Sequence, residues 1–187
     1  MSAAGQAGPA TDGGSGPVDT TRSADGMRAE VVVASNRAAA GVYEDTTGPL
    51  IVDALRALGF TVSPPLVVVD GEPVGEAIRA AAEGGARVVL TTGGTGLTPT
   101  DRTPEATRAV LDREVPGIAE TIRAHGVAKG VPTAMLSRGV AGVVGDCLVV
   151  NLPGSRGGVK DGLDVLRDVL VHAAEQVAGS DHRRTEA

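Results

Sequence analysis

The sequence predicts an α/β protein, a single-domain three-layer sandwich with a mainly parallel central sheet and a short antiparallel hairpin. Three observations predict it. Short apolar runs such as Glu30-Val31-Val32-Val33-Ala34 lack period-two alternation, as strands buried on both faces do. Between these runs lie stretches with apolar residues three and four apart, the period of a helix with one buried face. Late in the chain, two apolar runs flank Gly145-Asp146, a dipeptide suited to a hairpin turn. Strands alternating with helices place parallel strands side by side, with helices on both sheet faces.

In chain order, Glu30–Ala34 reads as the first strand. Gly48 and Pro49 open a helix whose inward face is Ile51, Ala54, Leu55 and Leu58, and Gly59 closes it. Phe60 to Val69 holds a second strand, broken by Pro64 and Pro65. Glu72 to Glu83 is a helix with Val74, Ile78 and Ala81 or Ala82 inward, ended by Gly84-Gly85. Ala86–Leu90 is the third strand. Helices over Pro104–Arg113 and Pro116–His125 follow, the first capped by Thr103. Gly139–Val144 and Cys147–Val150 form the hairpin. One last helix carries Val159, Leu163, Leu166, Leu170, Ala173 and Val177 on a single face. The chain contains no internal repeat.

Residues 1–27 are rich in Gly, Ala, Ser, Thr, Pro and Asp, and Val18 is their one sizeable apolar side chain apart from methionine. Such a segment cannot bury enough to offset its ordering entropy, and it lacks the apolar stretch of a signal peptide. It reads as a disordered tail. One folded domain over 28–178 and a flexible C-terminal tail over 179–187 complete the expected organisation.

Composition narrows the function. The 187-residue chain has a formal net charge of −6, which argues against a nucleic-acid surface. Tyr43 and Phe60 are its only aromatic residues, too few for a platform on which single strands stack. No apolar run approaches the roughly 20 residues of a membrane span. Cys147 is the single cysteine, so the chain has no internal disulfide and no cysteine zinc cluster. Within Cys147-Leu148-Val149-Val150 it reads as a buried, inert thiol. His125, His172 and His182 are too widely spread for ligand spacing. The expectation is a cytoplasmic protein that handles small molecules, with no nucleic-acid or membrane partner.

The segment Thr91-Thr92-Gly93-Gly94-Thr95-Gly96-Leu97-Thr98-Pro99-Thr100-Asp101 carries the strongest chemical signal. Three glycines within four residues let backbone N–H groups turn inward and approach anionic oxygens. It is not a P-loop, because no Lys follows Gly96. Pro99 stands where a dinucleotide fingerprint has its third glycine, which weighs against a nicotinamide enzyme. In open α/β sheets, ligands bind beyond the carboxyl ends of the strands. Four such ends carry polar residues: Ser35-Asn36-Arg37, Asp70, the glycine loop with Asp101, and Asn151-Leu152-Pro153-Gly154-Ser155-Arg156. Two carboxylates near a glycine loop suit Mg²⁺ held between Asp side chains and substrate phosphates. Arg37, Arg102 or Arg138 would neutralise charge that builds during phosphoryl or nucleotidyl transfer. Asp70 and Asp101 serve equally well as turn or capping residues, and Asn151 as a strand-end hydrogen bonder, so the residues alone leave both roles open.

In order and spacing, these segments resemble the Mog/MoaB family of molybdenum-cofactor biosynthesis over about residues 28–178. The resemblance rests on Ser35-Asn36-Arg37, Gly41-Val42-Tyr43-Glu44-Asp45, the Thr-Thr-Gly-Gly-Thr-Gly loop with Asp101, and Thr103-Pro104-Glu105-Ala106-Thr107. Pro116-Gly117, Pro132-Thr133-Ala134-Met135-Leu136-Ser137-Arg138 and Asn151-Leu152-Pro153-Gly154-Ser155 extend it. The resemblance implies a molybdopterin-binding domain, commonly a homotrimer, that adenylylates molybdopterin with ATP and Mg²⁺ and releases pyrophosphate. Contacts with other cofactor-synthesis proteins would be transient. It implies Asp70 and Asp101 for catalysis and Mg²⁺ positioning. Thr92, Gly93, Gly94, Thr95 and Gly96 would cradle phosphate, and Ser35, Arg37, Ser137, Arg138, Asn151, Pro153, Gly154 and Ser155 would shape the pterin and nucleotide surfaces. The family often has Asp where this chain has Asn36, which loses a negative charge but keeps a hydrogen-bonding amide. The alternative within the same fold is a non-catalytic MoaB-like paralogue that holds a pterin without transferring AMP.

Overall fold

The computed structural model describes residues 23–39, 41 and 44–179. Its middle layer is a seven-stranded sheet of β1 (Arg28–Ala34), β2 (Thr61–Val62), β3 (Leu66–Val68), β4 (Val88–Thr92), β5 (Arg113–Glu114), β6 (Ala141–Val144) and β7 (Cys147–Leu152). The order is β2-β1-β4-β7-β6-β5, with β3 following β2 along the same flank of β1. β1, β2, β3, β4 and β7 are parallel; β6 runs antiparallel to β7, and β5 antiparallel to β6. The helices are α1 (Asn36–Ala39), α2 (Gly48–Ala57), α3 (Glu72–Glu83), α4 (Thr103–Arg108), α5 (Pro116–Ala128), α6 (Arg156–Leu166) and α7 (Leu170–Val177), with a 3₁₀ turn at Pro132–Leu136.

Successive strand residues point to opposite faces, so the sheet feeds two cores. Val31 of β1, Val88 and Leu90 of β4, and Leu148 and Val150 of β7 pack with Ile51 and Leu55 of α2, Ile122 of α5, Val159 of α6 and Leu170 of α7. Val32, Val89 and Val149 face the other way, onto Val74 and Ile78 of α3 and Ala106 of α4. This is the three-layer α/β sandwich that the unalternated apolar runs predict. No helix among the described residues is long and apolar enough to cross a membrane.

Several boundaries differ from the sequence reading, each for a local reason. The proline pair divides Phe60–Val69 into β2 and β3, and both pieces still pair with β1 at the sheet edge, where Pro is tolerated. The helix expected over Pro104–Arg113 stops at Arg108, and Arg113–Glu114 instead pairs with β6. A Cβ on Gly142 would lie 2.5 Å from the Arg113 carbonyl oxygen, so glycine there admits the short strand. The last helix breaks between Leu166 and Leu170, both of which stay buried. The apolar stripe runs on through the break, which is why periodicity alone does not show it. The parallel strands β4 and β7 extend to Thr92 and Leu152, two residues beyond the ends expected at Leu90 and Val150.

Residues 1–22 and 180–187, most of the two expected tails, lie outside the described residues. Residues 23–27, which the sequence reading places in the N-terminal tail, are among the described residues. Ala24 is fully buried and its N–H donates to the Leu58 carbonyl at 2.9 Å, while Met27 accepts from Thr61 N–H at 2.9 Å. Gly59 has φ +93°, and a Cβ on it would lie 2.4 Å from Ser23 Oγ. The glycine that ends α2 also makes room for this incoming segment.

Candidate active site

The parallel register brings the polar strand ends together. Ala34 pairs with Val68, Val33 with Thr92, and Thr92 with Leu152. The loops that begin at Ser35, Val69, Gly93 and Pro153 therefore leave the sheet side by side, at the edge where open α/β sheets bind ligands.

Glycine closes this edge. Gly93 and Gly94 have φ of +91° and +62°, which L side chains rarely adopt. A Cβ on Gly93 would lie 2.3 Å from the Ala34 carbonyl oxygen, and one on Gly94 would lie 2.0 Å from Asp70 Oδ2. Gly154 approaches from β7, where an added Cβ would lie 3.1 Å from Gly93 Cα. Thr92 Oγ1 donates to the Pro153 carbonyl at 2.8 Å and ties the two loops. The Thr95 side chain is buried beneath them.

The two candidate carboxylates lie against alternate glycines of the loop. Asp70 Oδ1 accepts from Thr103 Oγ1 at 3.0 Å, and Oδ2 from Arg102 N–H at 3.2 Å. Asn36 Oδ1 accepts the Asp70 N–H at 3.0 Å, so at this contact the amide oxygen serves as an acceptor without a carboxylate's charge. Asp101 Oδ2 sits 2.8 Å from where a Gly96 Cβ would be, and accepts both the N–H (3.0 Å) and Oγ1–H (2.8 Å) of Thr98. Among the described residues, Asp101 Oδ1 has no donor. Both residues are thus turn-bracing acceptors that keep lone pairs to spare.

A groove of about 370 Å³ runs along the loop. Thr95 and Gly96 form one wall, Ile122 and Arg123 of α5 a second, and Gly154, Ser155 and Asp161 a third. Ser137 and Pro153 line it as well. A smaller pit of about 100 Å³ lies across Gly154, among Ser35, Asp45, Thr47, Thr92 and Gly93. Arg123 and Asp161, the charged residues of the groove, are absent from the sequence reading. They lie mid-helix in α5 and α6, and only helix packing turns them toward the strand ends. Arg123 Nη1 also holds the Ser137 and Gly139 carbonyls, at 3.3 and 3.0 Å.

Other expected ligand residues have structural duties. Asn151 is 3% exposed. Its amide donates to Thr91 Oγ1 and Thr107 Oγ1, and its oxygen accepts the Val140 N–H. That places it in the core beneath the site, as a bracing group. Ser155 Oγ caps α6 by accepting the Gly158 N–H at 3.1 Å, and it still borders the groove. Arg37 lies on α1 and lines neither cavity. Arg138 lies outside the groove, beside a separate cavity that it shares with Arg108 and Glu114. Its side chain binds the Gly96 and Asp101 carbonyls and the Glu105 carboxylate. Partial burial would raise the Glu105 carboxyl, but hydrogen bonds from Arg138 and the backbone, with the charges of Arg138 and Arg102, hold it below the ordinary value.

Burial, only partly offset by Arg87, pushes the Cys147 thiol up to about 12, so no thiolate is present near neutral pH. Among the described residues, His125, Asp161 and Asp164 offer ligand atoms within 4.8 Å of one another. The Lys129 ammonium already lies 3.0 Å from Asp161 and 2.7 Å from Asp164 and supplies the positive charge there.

Residues 30–172 match the family model described as a probable molybdopterin binding domain. The chain is 40% identical over 159 residues to the molybdenum cofactor biosynthesis bifunctional protein of Synechococcus elongatus, covering 84% of this chain and 49% of that one. It therefore spans about half the length of that curated relative. It is 36% identical to the molybdopterin adenylyltransferase of Pyrococcus furiosus, over 76% of this chain and 86% of that one. Its fold superposes on the molybdopterin biosynthesis Mog protein of Mycobacterium ulcerans with a TM-score of 0.77 and 54% identity, over 81% of this chain and 99% of that one.

Proposed function

The chain belongs to the molybdopterin-binding domain family of molybdenum-cofactor biosynthesis, and from that premise we propose that it is a molybdopterin adenylyltransferase. A phosphate oxygen of molybdopterin attacks the α-phosphorus of ATP, the bond to the β-phosphate bridging oxygen breaks, and pyrophosphate leaves. The observation that carries this reading is the placement of Asp70 and Asp101 against Gly94 and Gly96 of one loop. That loop offers N–H groups to phosphate, and the carboxylates beside it retain oxygen lone pairs.

Those lone pairs fit Mg²⁺, a hard cation that takes one or two carboxylates together with substrate phosphates. Asp101 Oδ1 and the Asp70 carboxylate would hold it, and when bound it would offset phosphate charge. The backbone of Gly93–Gly96 orients the phosphate chain. The groove suits a flat heteroaromatic ring, since Ile122, Val131 and Pro153 line it beside Ser137 and Asp161. Arg123 supplies positive charge in its wall. Within the same reading the enzyme is a cytoplasmic homotrimer that contacts other cofactor-synthesis proteins transiently, as its family resemblance suggests.

The test is pyrophosphate release from ATP, Mg²⁺ and molybdopterin, with Asp101→Asn beside the natural chain. Release that is lost in the variant supports the transferase. Molybdopterin binding without release overturns it and returns a non-catalytic binding protein.

A further inference from the structure

Arg138 uses its whole side chain on one stretch of backbone. Its N–H donates to the Thr95 carbonyl at 2.9 Å, Nε to the Gly96 carbonyl at 2.7 Å, and Nη2 to the Asp101 carbonyl at 2.6 Å. Nη1 binds the Glu105 carboxylate. The backbone N–H of Arg138 and its guanidinium therefore hold three carbonyl groups of the glycine loop and its extension, the guanidinium two of them.

Peptide planarity fixes what happens on the other side. In a trans peptide the C=O of one residue and the N–H of the next point in opposite directions. No peptide bond among the described residues is cis. Drawing the Thr95, Gly96 and Asp101 carbonyls toward Arg138 must send the N–H groups of Gly96, Leu97 and Arg102 away from it. One of these already meets a carboxylate oxygen, since Arg102 N–H donates to Asp70 Oδ2 at 3.2 Å. Among the described residues, the N–H groups of Gly96 and Leu97 have no acceptor. Thr95 and Gly96 line the groove, whereas Arg138 lines the neighbouring cavity, which no glycine-loop residue lines.

We infer that Arg138 is a positioning residue that never touches substrate: by holding the loop's carbonyls, it presents the Gly96 and Leu97 N–H groups as a pair of donors for an anionic phosphate oxygen. The inference rests on the transferase reading for the identity of that anion, a phosphate of ATP or of the pyrophosphate product. It reassigns Arg138 from charge neutralisation at the ligand to construction of the site. Lysine cannot replace it, because a point-charge ammonium lacks a planar fork that reaches two carbonyls and a carboxylate at once.

The test compares the natural chain with Arg138→Lys and Arg138→Ala in two measurements. The first is amide hydrogen exchange without ligand. Exchange of the hydrogen-bonded Thr98, Asp101 and Arg102 amides should accelerate at least tenfold in both variants while the β1, β4 and β7 amides are unchanged. The second is the affinity for inorganic pyrophosphate and for Mg-ATP. It should fall at least tenfold in both variants, and added guanidinium ion should restore a large part of it in Arg138→Ala. Unchanged loop exchange would overturn the inference and make Arg138 a direct ligand group. Faster exchange with unchanged anion affinity would also overturn it, leaving a bracing role only. A natural chain that binds neither ATP nor pyrophosphate would defeat the nucleotide reading and the anion role, while the ligand-free exchange would still decide whether Arg138 orders the loop.

Discussion

The side-chain amide of Asn151 donates to Thr107 Oγ1 at 3.0 Å, joining the carboxyl end of β7 to α4 across the sheet. The same nitrogen reaches Thr91 Oγ1 at 2.9 Å, and the amide oxygen takes the Val140 N–H at 3.1 Å. Every group in this set is buried, so removing the amide strands partners that water cannot reach. Asn151→Ala should lower unfolding free energy by about 2–4 kcal/mol, the range for unsatisfied buried donors together with a small cavity. A urea melt gives the value. A loss under about 1 kcal/mol would mean that the neighbours re-pair without the amide.

The two carboxylates should respond differently to the same chemical change. At Asp101, one oxygen takes both Thr98 donors and the other has none among the described residues. An amide there can keep its oxygen on Thr98 and turn its NH₂ to the open side. Asp101→Asn should keep stability within about 0.5 kcal/mol and lose most turnover. At Asp70, each oxygen faces a donor, Thr103 Oγ1 or Arg102 N–H. An amide must then point NH₂ at one of them. Asp70→Asn should cost about 1–3 kcal/mol besides activity. Thermal melts and pyrophosphate assays on the two variants separate these cases, and equal stability losses would contradict the geometry.

Glycine substitutions test the close approach at the strand ends. At Gly94, alanine meets Asp70 Oδ2 at 2.0 Å and Thr103 Oγ1 at 2.5 Å, in a left-handed backbone of φ +62°. Gly94→Ala should destabilise by about 1–3 kcal/mol and abolish turnover. Gly117, in the first turn of α5, has nothing within 4 Å of an added Cβ. Gly117→Ala should leave turnover unchanged and stabilise by up to about 1 kcal/mol, from helix propensity alone. Parallel melts and assays check both.

The layered fold was legible because its signals are local. Unalternated Val runs, helix-period apolar residues and the Gly145-Asp146 turn each sit within a few neighbouring residues. The glycine loop was legible for the same reason. The contacts of Arg138 were not legible, because Gly96, Asp101 and Glu105 lie 42, 37 and 33 residues from it in the chain. Arg123 and Asp161 carried no local signal, since a charged residue mid-helix reads as solvated surface until helix packing sets its direction. Ala24 escaped notice because one alanine among glycine and serine adds no pattern, yet it fills a site that Gly59 leaves open. A chain beginning at Met27 should therefore melt below one beginning at Ser23, and equal melting temperatures would show that Ala24 contributes nothing.

Cys147 gives a pH prediction whose sign follows from burial. Its thiol is pushed from an ordinary 9.0 up to about 12, because the core disfavours the thiolate more than the Arg87 charge favours it. The folded chain therefore holds the proton more tightly than the unfolded chain. The associated stability is fully present below pH 9 and is lost as pH rises toward 12. Across that window the natural chain should lose more stability than Cys147→Ala, which has no thiol to titrate, and the difference between the two denaturation curves isolates the effect from other groups. At pH 8 the folded protein should resist alkylation by iodoacetamide, while the urea-unfolded chain reacts readily. Rapid alkylation of the folded chain would show that the start of β7, at the far end of the strand from the candidate site, opens far more often than its buried packing predicts.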